Sequence, residues 1–155
     1  MNSRQIILDL FIEAVQAAMP DRILRRALAM DGDDLIVLGK RHPMKKGRGV
    51  YVFGSGKASA PAALAVEEII GARIAGGLII SNSAEGRLKK VAVRIGAHPV
   101  PDERSLLGAE GMAESLSSSP ETMCSFISSR EAVPPSWKNR SHPLPLSIFS
   151  LCRGC

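Results

Sequence analysis

The 155-residue chain has few aromatic residues, few cysteines and no long apolar run, and these shortages narrow the possible classes of protein. No stretch approaches the ~18 consecutive apolar residues that a membrane helix needs, so we expect no transmembrane span and no membrane partner. The first helical stretch has Asp9 and Glu13 among its apolar residues, which the core of a signal peptide would avoid. We therefore expect a cytoplasmic protein.

The cysteines are concentrated near the end of the chain. All three lie in the last 32 residues, and two of them form the spacing Cys152-Arg-Gly-Cys155. A zinc site built from thiolates normally uses a second such pair, which this sequence lacks. The spacing alone does not predict a metal site.

The net charge of +5 raises the question of a nucleic-acid partner. The densest basic run, residues 40–48, lies between two predicted strands and contains no aromatic side chain that could stack on a base. This pattern indicates a solvated loop. We expect no nucleic-acid partner.

Helical and strand-like stretches alternate along the first 120 residues. Apolar periodicity predicts helices over residues 3–19, 22–30, 58–70 and 105–116, and strands over 35–38, 49–53, 76–81 and 91–97. Such alternation predicts an α/β fold, a Rossmann-like open and mostly parallel sheet with flanking helices. Residues 49–53 are apolar at consecutive positions, and we expect them to form the central strand.

The candidate functional site follows that strand. Gly54 and Gly56 permit a tight turn, and Lys57 stands at the start of the next helix, where backbone amides favour an anion. Ser55 and Ser59 add hydroxyl groups. The carboxyl end of a parallel strand is where open α/β folds bind ligands, so this turn is predicted to bind a carboxylate or a phosphoryl group.

Two general phosphate-binding motifs do not fit this turn. A P-loop would need glycine at Tyr51 and a hydroxyl residue at Ala58. The dinucleotide pattern would need glycine at Ser59, and the next strand ends in Ser81-Asn82 where an acidic residue would bind a ribose. These mismatches argue against both motifs.

A second polar stretch follows the strand predicted at 91–97. His98 lies beside Pro99 and Pro101, which stiffen the chain, and Asp102 and Glu103 come next. Substrate orientation by His98 and metal ligation by Asp102 or Glu103 are both open from the residues alone.

These stretches together resemble the amino-terminal part of the glycerate 2-kinases, a family also labelled MOFRL or hydroxypyruvate reductase. The motifs are Tyr-Val-Phe-Gly-Ser-Gly-Lys-Ala-Ser-Ala-Pro at 51–61, Gly-Gly-Leu-Ile-Ile at 76–80 and Gly-Ala-His-Pro-Val-Pro-Asp-Glu at 96–103. The resemblance implies phosphorylation of D-glycerate to 2-phosphoglycerate, with ATP and Mg²⁺ required and glycerate as the small-molecule substrate. It implies that Lys57 is catalytic, that Gly54, Ser55, Gly56, Ser59 and His98 bind substrate, and that Asp102 is a candidate metal ligand.

The resemblance covers residues 1–120, which we expect to be a partial amino-terminal domain, and then stops. Residues 121–155 can be back-translated and read one nucleotide earlier as a segment containing Gly-Gly-Gly-Ser, which the family has at this point. We therefore predict a frame-shifted, irregular tail and a chain that is inactive by itself. The alternatives are a non-catalytic fragment that binds small anions or self-associates through an exposed sheet edge, and an NAD(P)H-dependent hydroxypyruvate reductase.

Overall fold

The computed structural model describes residues 2–44, 47, 49–83 and 87–118, together with the backbone of residues 123–125 and 150–153. The helices are α1 (Ser3–Ala17), α2 (Pro20–Ala27), α3 (Ser59–Ile70) and α4 (Glu103–Ser118), with a 3-10 turn at Gly71–Arg73. The strands are β1 (Leu28–Asp31), β2 (Asp34–Val37), β3 (Lys40–His42), β4 (Val50–Ser55), β5 (Ile74–Ser81), β6 (Ala92–Ile95), β7 (Met123–Ser125) and β8 (Ser150–Arg153).

The main sheet is parallel and has the strand order β4-β5-β6. Its helices confirm the predicted α/β class, because α3 and α4 pack on opposite faces. Ile79 belongs to the apolar core with Val66 of α3, whereas Ile80 lies against Gly108 of α4. Neighbouring residues of a strand point to opposite faces of the sheet. In this three-stranded sheet β5 is the middle strand, whereas the sequence predicted that β4 would be the central one.

Strands β1, β2 and β3 form a separate antiparallel sheet, most of which the sequence did not predict. The helix expected over residues 22–30 ends at Ala27, because the chain from Leu28 onward pairs with β2. We predicted a solvated loop over residues 40–48. That prediction is wrong for the first three residues, which form β3. Tight turns at Gly32 and at Leu38-Gly39 connect the strands, and all three residues have positive φ.

The apolar core lies between the main sheet, α2 and α3. Its most buried members are Leu24 and Leu35 from the outer elements, Val52 and Ile79 from the sheet, and Val66 from α3. Gly77 brings the two central backbones together, since a Cβ at this position would lie 2.0 Å from the Val52 carbonyl oxygen. Any side chain there would force β4 and β5 apart.

The remaining elements lie outside this core. Helix α1 has no buried residue. The backbone of β7 lies beside β4 and pairs antiparallel with β8, two short strands in a segment where we predicted irregular structure. The rest of the predicted tail lies outside the described residues. Within the described ranges, no helix is long and apolar enough to span a membrane.

Candidate functional site

The turn between β4 and α3 is held by hydrogen bonds to β5. Gly56 has φ +110°, a backbone conformation that side chains disfavour, and its amide donates to the Ile80 carbonyl at 2.9 Å. The Ser59 amide donates in turn to the Gly56 carbonyl at 3.0 Å. The glycine predicted to shape this turn therefore does so, and its amide is already engaged.

Ser59 lies beneath the turn and is only 3% exposed. Its Oγ is 2.6 Å from the Gly56 carbonyl oxygen and 3.0 Å from that of Ile80. A hydroxyl has one hydrogen to donate, so these two carbonyl oxygens compete for it, and the shorter distance favours Gly56. This placement suits a residue that positions the turn from below.

Lys57 lies at the exposed tip of the same turn. Gly54 is buried at the end of β4, and Ser55 is half-buried beside the tip. The helix start offers fewer amide donors than we expected, because Pro61 has no amide hydrogen and the Ser59 amide is bonded to Gly56. The ammonium group of Lys57 is consequently the main source of positive charge at this turn.

The loop that carries His98 is anchored to the same strand. The Gly96 amide donates to the Ser81 carbonyl at 2.8 Å, and the Ala97 amide donates to Ser105 Oγ at 3.0 Å. His98 is exposed and precedes a cis peptide bond to Pro99. Consecutive carbonyls of β5, those of Ile80 and Ser81, thus fix the two predicted halves of the site.

The two loops leave neighbouring strands on either side of β5. Strands in a sheet are about 4.8 Å apart, so the ends of β4 and β6 are separated by roughly 10 Å. Side chains that reach inward from both loops could contact one small ligand. The structure therefore brings the Lys57 turn and the His98 loop to the same end of the main sheet, where the carboxyl ends of its strands lie.

Asp102 lies at the start of α4 and is engaged with its own helix. Its backbone carbonyl accepts from the Ser105 amide at 3.0 Å, while Oδ1 accepts from the Arg104 amide at 3.0 Å and Oδ2 from Arg104 Nε at 2.9 Å. The Arg104 hydrogen bond holds the pKa of this carboxyl below its usual value. The geometry describes a helix cap.

Glu67 of α3 fixes the segment that leads into β6. Its carboxylate accepts hydrogen bonds from the backbone amides of Lys89, Lys90 and Val91 at 2.8 to 3.1 Å. Partial burial acts to raise the pKa of this carboxyl, but the three amides outweigh it and hold the pKa below its usual value. Glu67 was not among the residues that the sequence singled out, because its partners lie more than 20 residues away along the chain.

Two further polar residues at this edge were also missed as candidates. Ser81 is 2% exposed and ends β5, and Asn82 is the exposed residue that follows it between the two loops. A polar Ser-Asn-Ser run directly after Leu-Ile-Ile was the available signal, since it places polar groups at the carboxyl end of a parallel strand.

The described residues do not assemble a metal site. No group of three His, Cys, Asp or Glu side chains lies close enough together, within the ranges that the structure describes, to hold an ion. Of the two candidate ligands from the sequence, Asp102 and Glu103, the carboxylate oxygens of Asp102 already accept hydrogen bonds from the backbone amide and the side chain of Arg104. Mg²⁺ in nucleotide sites is usually bound by one or two carboxylates together with substrate phosphates, so such a site need not be preformed, and the described residues supply no preformed one.

Parallel strands with helices on both faces, and a glycine turn at their carboxyl edge, define an open α/β domain. The chain belongs to the family described as "Domain of unknown function (DUF4147)", whose model matches residues 6–129. This match runs somewhat beyond residue 120, where we expected the resemblance to end.

Relatives of known structure or name agree with that assignment. A glycerate 2-kinase from Pyrococcus horikoshii is 37% identical over 128 residues, which cover 82% of this chain and 28% of the relative. A crystal structure of a protein from P. horikoshii OT3, also 37% identical, superposes with a TM-score of 0.68 over 82% of this chain and 28% of that one. The predicted resemblance to glycerate 2-kinases is confirmed.

A more distant structure supports the fold alone. Glycerate kinase from Thermotoga maritima is 21% identical and superposes with a TM-score of 0.61, covering 79% of this chain and 27% of that chain. The chain thus spans little more than a quarter of the length of the relatives it matches.

Proposed function

We propose that this chain carries one half of a glycerate kinase site, the half that binds the anionic groups of D-glycerate or of the phosphoryl group transferred from ATP. The observation that carries the proposal is the exposed Lys57 on a hydrogen-bonded turn at the carboxyl edge of the sheet. The relative named glycerate 2-kinase supports the choice of substrate.

Each residue has a definite role in this proposal. Lys57 pairs with the substrate carboxylate or the transferring phosphoryl oxygens, because a compact ammonium group suits both. Ser55, which lies near Lys57 in the same turn, donates a hydrogen bond from its hydroxyl group to the same anion. His98, on the opposite loop, orients the hydroxyl group of glycerate that accepts the phosphoryl group. Gly54, Gly56 and Ser59 shape the turn; the Gly56 amide is committed to Ile80 and is not a substrate donor.

Phosphoryl transfer depends on positioning and on neutralising the charge that spreads over the phosphoryl oxygens. Mg²⁺ supplies part of that neutralisation when it is bound with the nucleotide. Because the described residues supply no preformed magnesium site, we assign to them only the contact with the substrate anion. Such a reaction needs groups from both walls of a cleft, and we therefore propose that the chain binds without turnover.

Isothermal titration calorimetry with D-glycerate, and separately with ATP, tests the binding. Lys57→Ala should weaken D-glycerate binding at least about tenfold, equivalent to roughly 1.4 kcal/mol. Lys40→Ala is the matched control, because Lys40 is an exposed lysine on β3 in the other sheet. Unchanged binding by Lys57→Ala would remove this residue from the site.

A coupled assay for ADP release separates binding from catalysis. We expect no release with D-glycerate and ATP, whereas turnover that Lys57→Ala abolishes would show that the chain is a complete catalyst. Oxidation of NADH with hydroxypyruvate would favour the reductase alternative. The sequence argues against that alternative, because Ser59 stands where the dinucleotide-binding motif has its third glycine.

A further inference from the structure

Two buried serines lie at the carboxyl end of the main sheet, and their hydroxyl groups are bonded differently. Ser59 is 3% exposed, and its hydroxyl has two carbonyl oxygens within reach, at 2.6 and 3.0 Å. Ser81 is 2% exposed, and its Oγ accepts one long hydrogen bond, from the Ser83 amide at 3.5 Å. The hydrogen of the Ser81 hydroxyl has no acceptor among the residues that the structure describes. Ser81 therefore holds a buried donor that the fold does not use.

A buried donor without an acceptor is uncommon in folded proteins. Removing a hydroxyl from water without a new hydrogen bond costs free energy, and such groups are found where a ligand, an ion or a water completes them. The Ser81 hydroxyl is also not what holds the neighbouring loop, because the backbone carbonyl of Ser81 accepts the hydrogen bond from the Gly96 amide at 2.8 Å. The position of the hydroxyl therefore suits contact with a ligand.

Ser81 faces the same side of the sheet as the Lys57 turn. Side chains alternate along β5, and since Ile79 packs toward α3 and Ile80 lies against α4, Ser81 faces α3. The chain leaves β4 on that side as well, because Lys57 leads into α3. The Ile80 carbonyl accepts from the Gly56 amide at 2.9 Å, so Ser81 is the first residue of β5 beyond the point where the turn is attached. An anion that pairs with Lys57 over this end of the sheet would lie above the Ser81 hydroxyl.

We propose that Ser81 is a further binding residue for the small oxyanion held by Lys57, to which its hydroxyl donates a hydrogen bond from the strand below. This inference rests on the proposed function, because it needs an anion at Lys57. A carboxylate or phosphoryl oxygen is the strongest kind of acceptor for a hydroxyl hydrogen, and the low exposure of Ser81 keeps water from competing for it. Ser59 does not take this role, because two backbone carbonyls already compete for its hydrogen.

Calorimetric titration of the full chain with D-glycerate, and separately with ATP, tests the contact. Ser81→Ala should weaken the binding of D-glycerate, of ATP or of both at least about tenfold, and the ligand affected identifies a carboxylate or a phosphoryl oxygen as the acceptor. Ser81→Cys has a side chain of similar size but is a weak donor, so it should weaken the same binding without a loss of packing. Ser117→Ala should bind like the parent chain, because this exposed hydroxyl bonds to the Ala113 carbonyl within α4 at 2.8 Å.

Thermal unfolding without ligand separates a binding role from a structural one. Ser81→Ala should leave the unfolding midpoint unchanged or raise it, because it removes a buried donor that has no acceptor. Ser59→Ala should lower the midpoint, because its hydroxyl bonds to backbone carbonyls. An equal loss in the Ser81 variant, or ligand binding as tight as that of the parent chain, overturns the inference. If Lys57→Ala still weakens binding in that case, the proposed function stands without Ser81; a parent chain that binds neither ligand overturns both.

Discussion

Helices α1 and α3 are both rich in apolar residues, yet the protein uses them in opposite ways. Helix α1 leaves all its large apolar side chains at least partly in solvent. Helix α3 is made mostly of small residues and packs its length against the sheet. The buried residues of α3 are Ser59, Ala60, Ala63, Ala65, Val66 and Ile70.

The difference lies in how each helix is connected. Helix α3 joins two paired parallel strands, β4 and β5, so its crossover must lie on the sheet, and its alanines permit a close approach. Helix α1 is followed by α2 after the break at Met19-Pro20, and among the described residues it buries none of its own side chains. Apolar periodicity therefore indicates that a helix has an apolar face, whereas chain connectivity decides what covers that face.

The sharpest test of this comparison substitutes the same residue type in both helices. Val66 of α3 is fully buried, whereas Val15 of α1 is 47% exposed. Val66→Asp would place an unpaired charge in the core and should cost more than about 4 kcal/mol of unfolding free energy. Val15→Asp should cost less than about 1 kcal/mol, measured by urea denaturation at a protein concentration where the chain is monomeric.

Equal losses in the two valine variants would contradict the comparison, because they would mean that α1 is as tightly packed as α3. Val15→Ala and Val66→Ala extend the test without a charge. The first should be nearly neutral, and the second should cost about 2 kcal/mol for the lost methyl groups and the cavity.

The acidic residues of the two helices also differ, since one is bound to other parts of the protein and the other lies in solvent. Glu67 of α3 binds three backbone amides, while Glu13 of α1 lies exposed. Glu67→Gln should lower the unfolding free energy at pH 7 by about 2 kcal/mol, because hydrogen bonds to a charged acceptor are the stronger ones. Glu13→Gln should leave it unchanged within about 0.5 kcal/mol.

The pH dependence gives an independent measurement of the Glu67 contribution. The pKa of Glu67 is lower in the folded protein than its ordinary value of about 4.3, so the stabilisation is fully present above that value. It is lost as the pH falls from there through the folded-state pKa. The difference in stability between the parent and Glu67→Gln should shrink across this window, and a constant difference would contradict the assigned role.

The smallest expected effect concerns how the two helices begin. Ser59 fixes the start of α3 from within the protein, whereas the Asn2 side chain caps α1 at the surface by accepting from the Gln5 amide at 2.9 Å. Ser59→Ala should lower the unfolding free energy by about 1 kcal/mol. Asn2→Ala should reduce the helical signal of α1 with no change in the global unfolding midpoint, since α1 supports no core.

Local patterns were enough to predict the helices, the parallel strands and the Lys57 turn. Glycines at 54 and 56 after a run of consecutive apolar residues have few other interpretations, and the structure places the turn at the predicted edge. The antiparallel sheet was missed because β1 and β3 are short and become strands only through pairing with β2. The pattern of residues 22–30 suits a helix equally well, and long-range pairing decided against it.

The positioning residues were harder to predict than the exposed ones. Ser59 and Glu67 bond to backbone groups more than 20 residues away in sequence, and no local pattern marks such a partner. Asp102 was a candidate metal ligand from the sequence, whereas in the structure its carboxylate accepts hydrogen bonds from Arg104 and caps the start of α4. The assignment of Lys57 and His98 to substrate binding stays a prediction that the calorimetric test addresses.

The attachment of both candidate loops to consecutive carbonyls of β5 also constrains how such a site can change. The separation of the loops is set mainly by the spacing of the backbone strands, to which the Gly56 and Gly96 amides attach them. Substitutions in either loop can therefore alter charge, size or hydrogen bonding at constant distance. Under the proposed function, loop mutations alone would adapt this arrangement to another small acidic ligand of similar length, while a ligand of different length would require a change in the sheet itself.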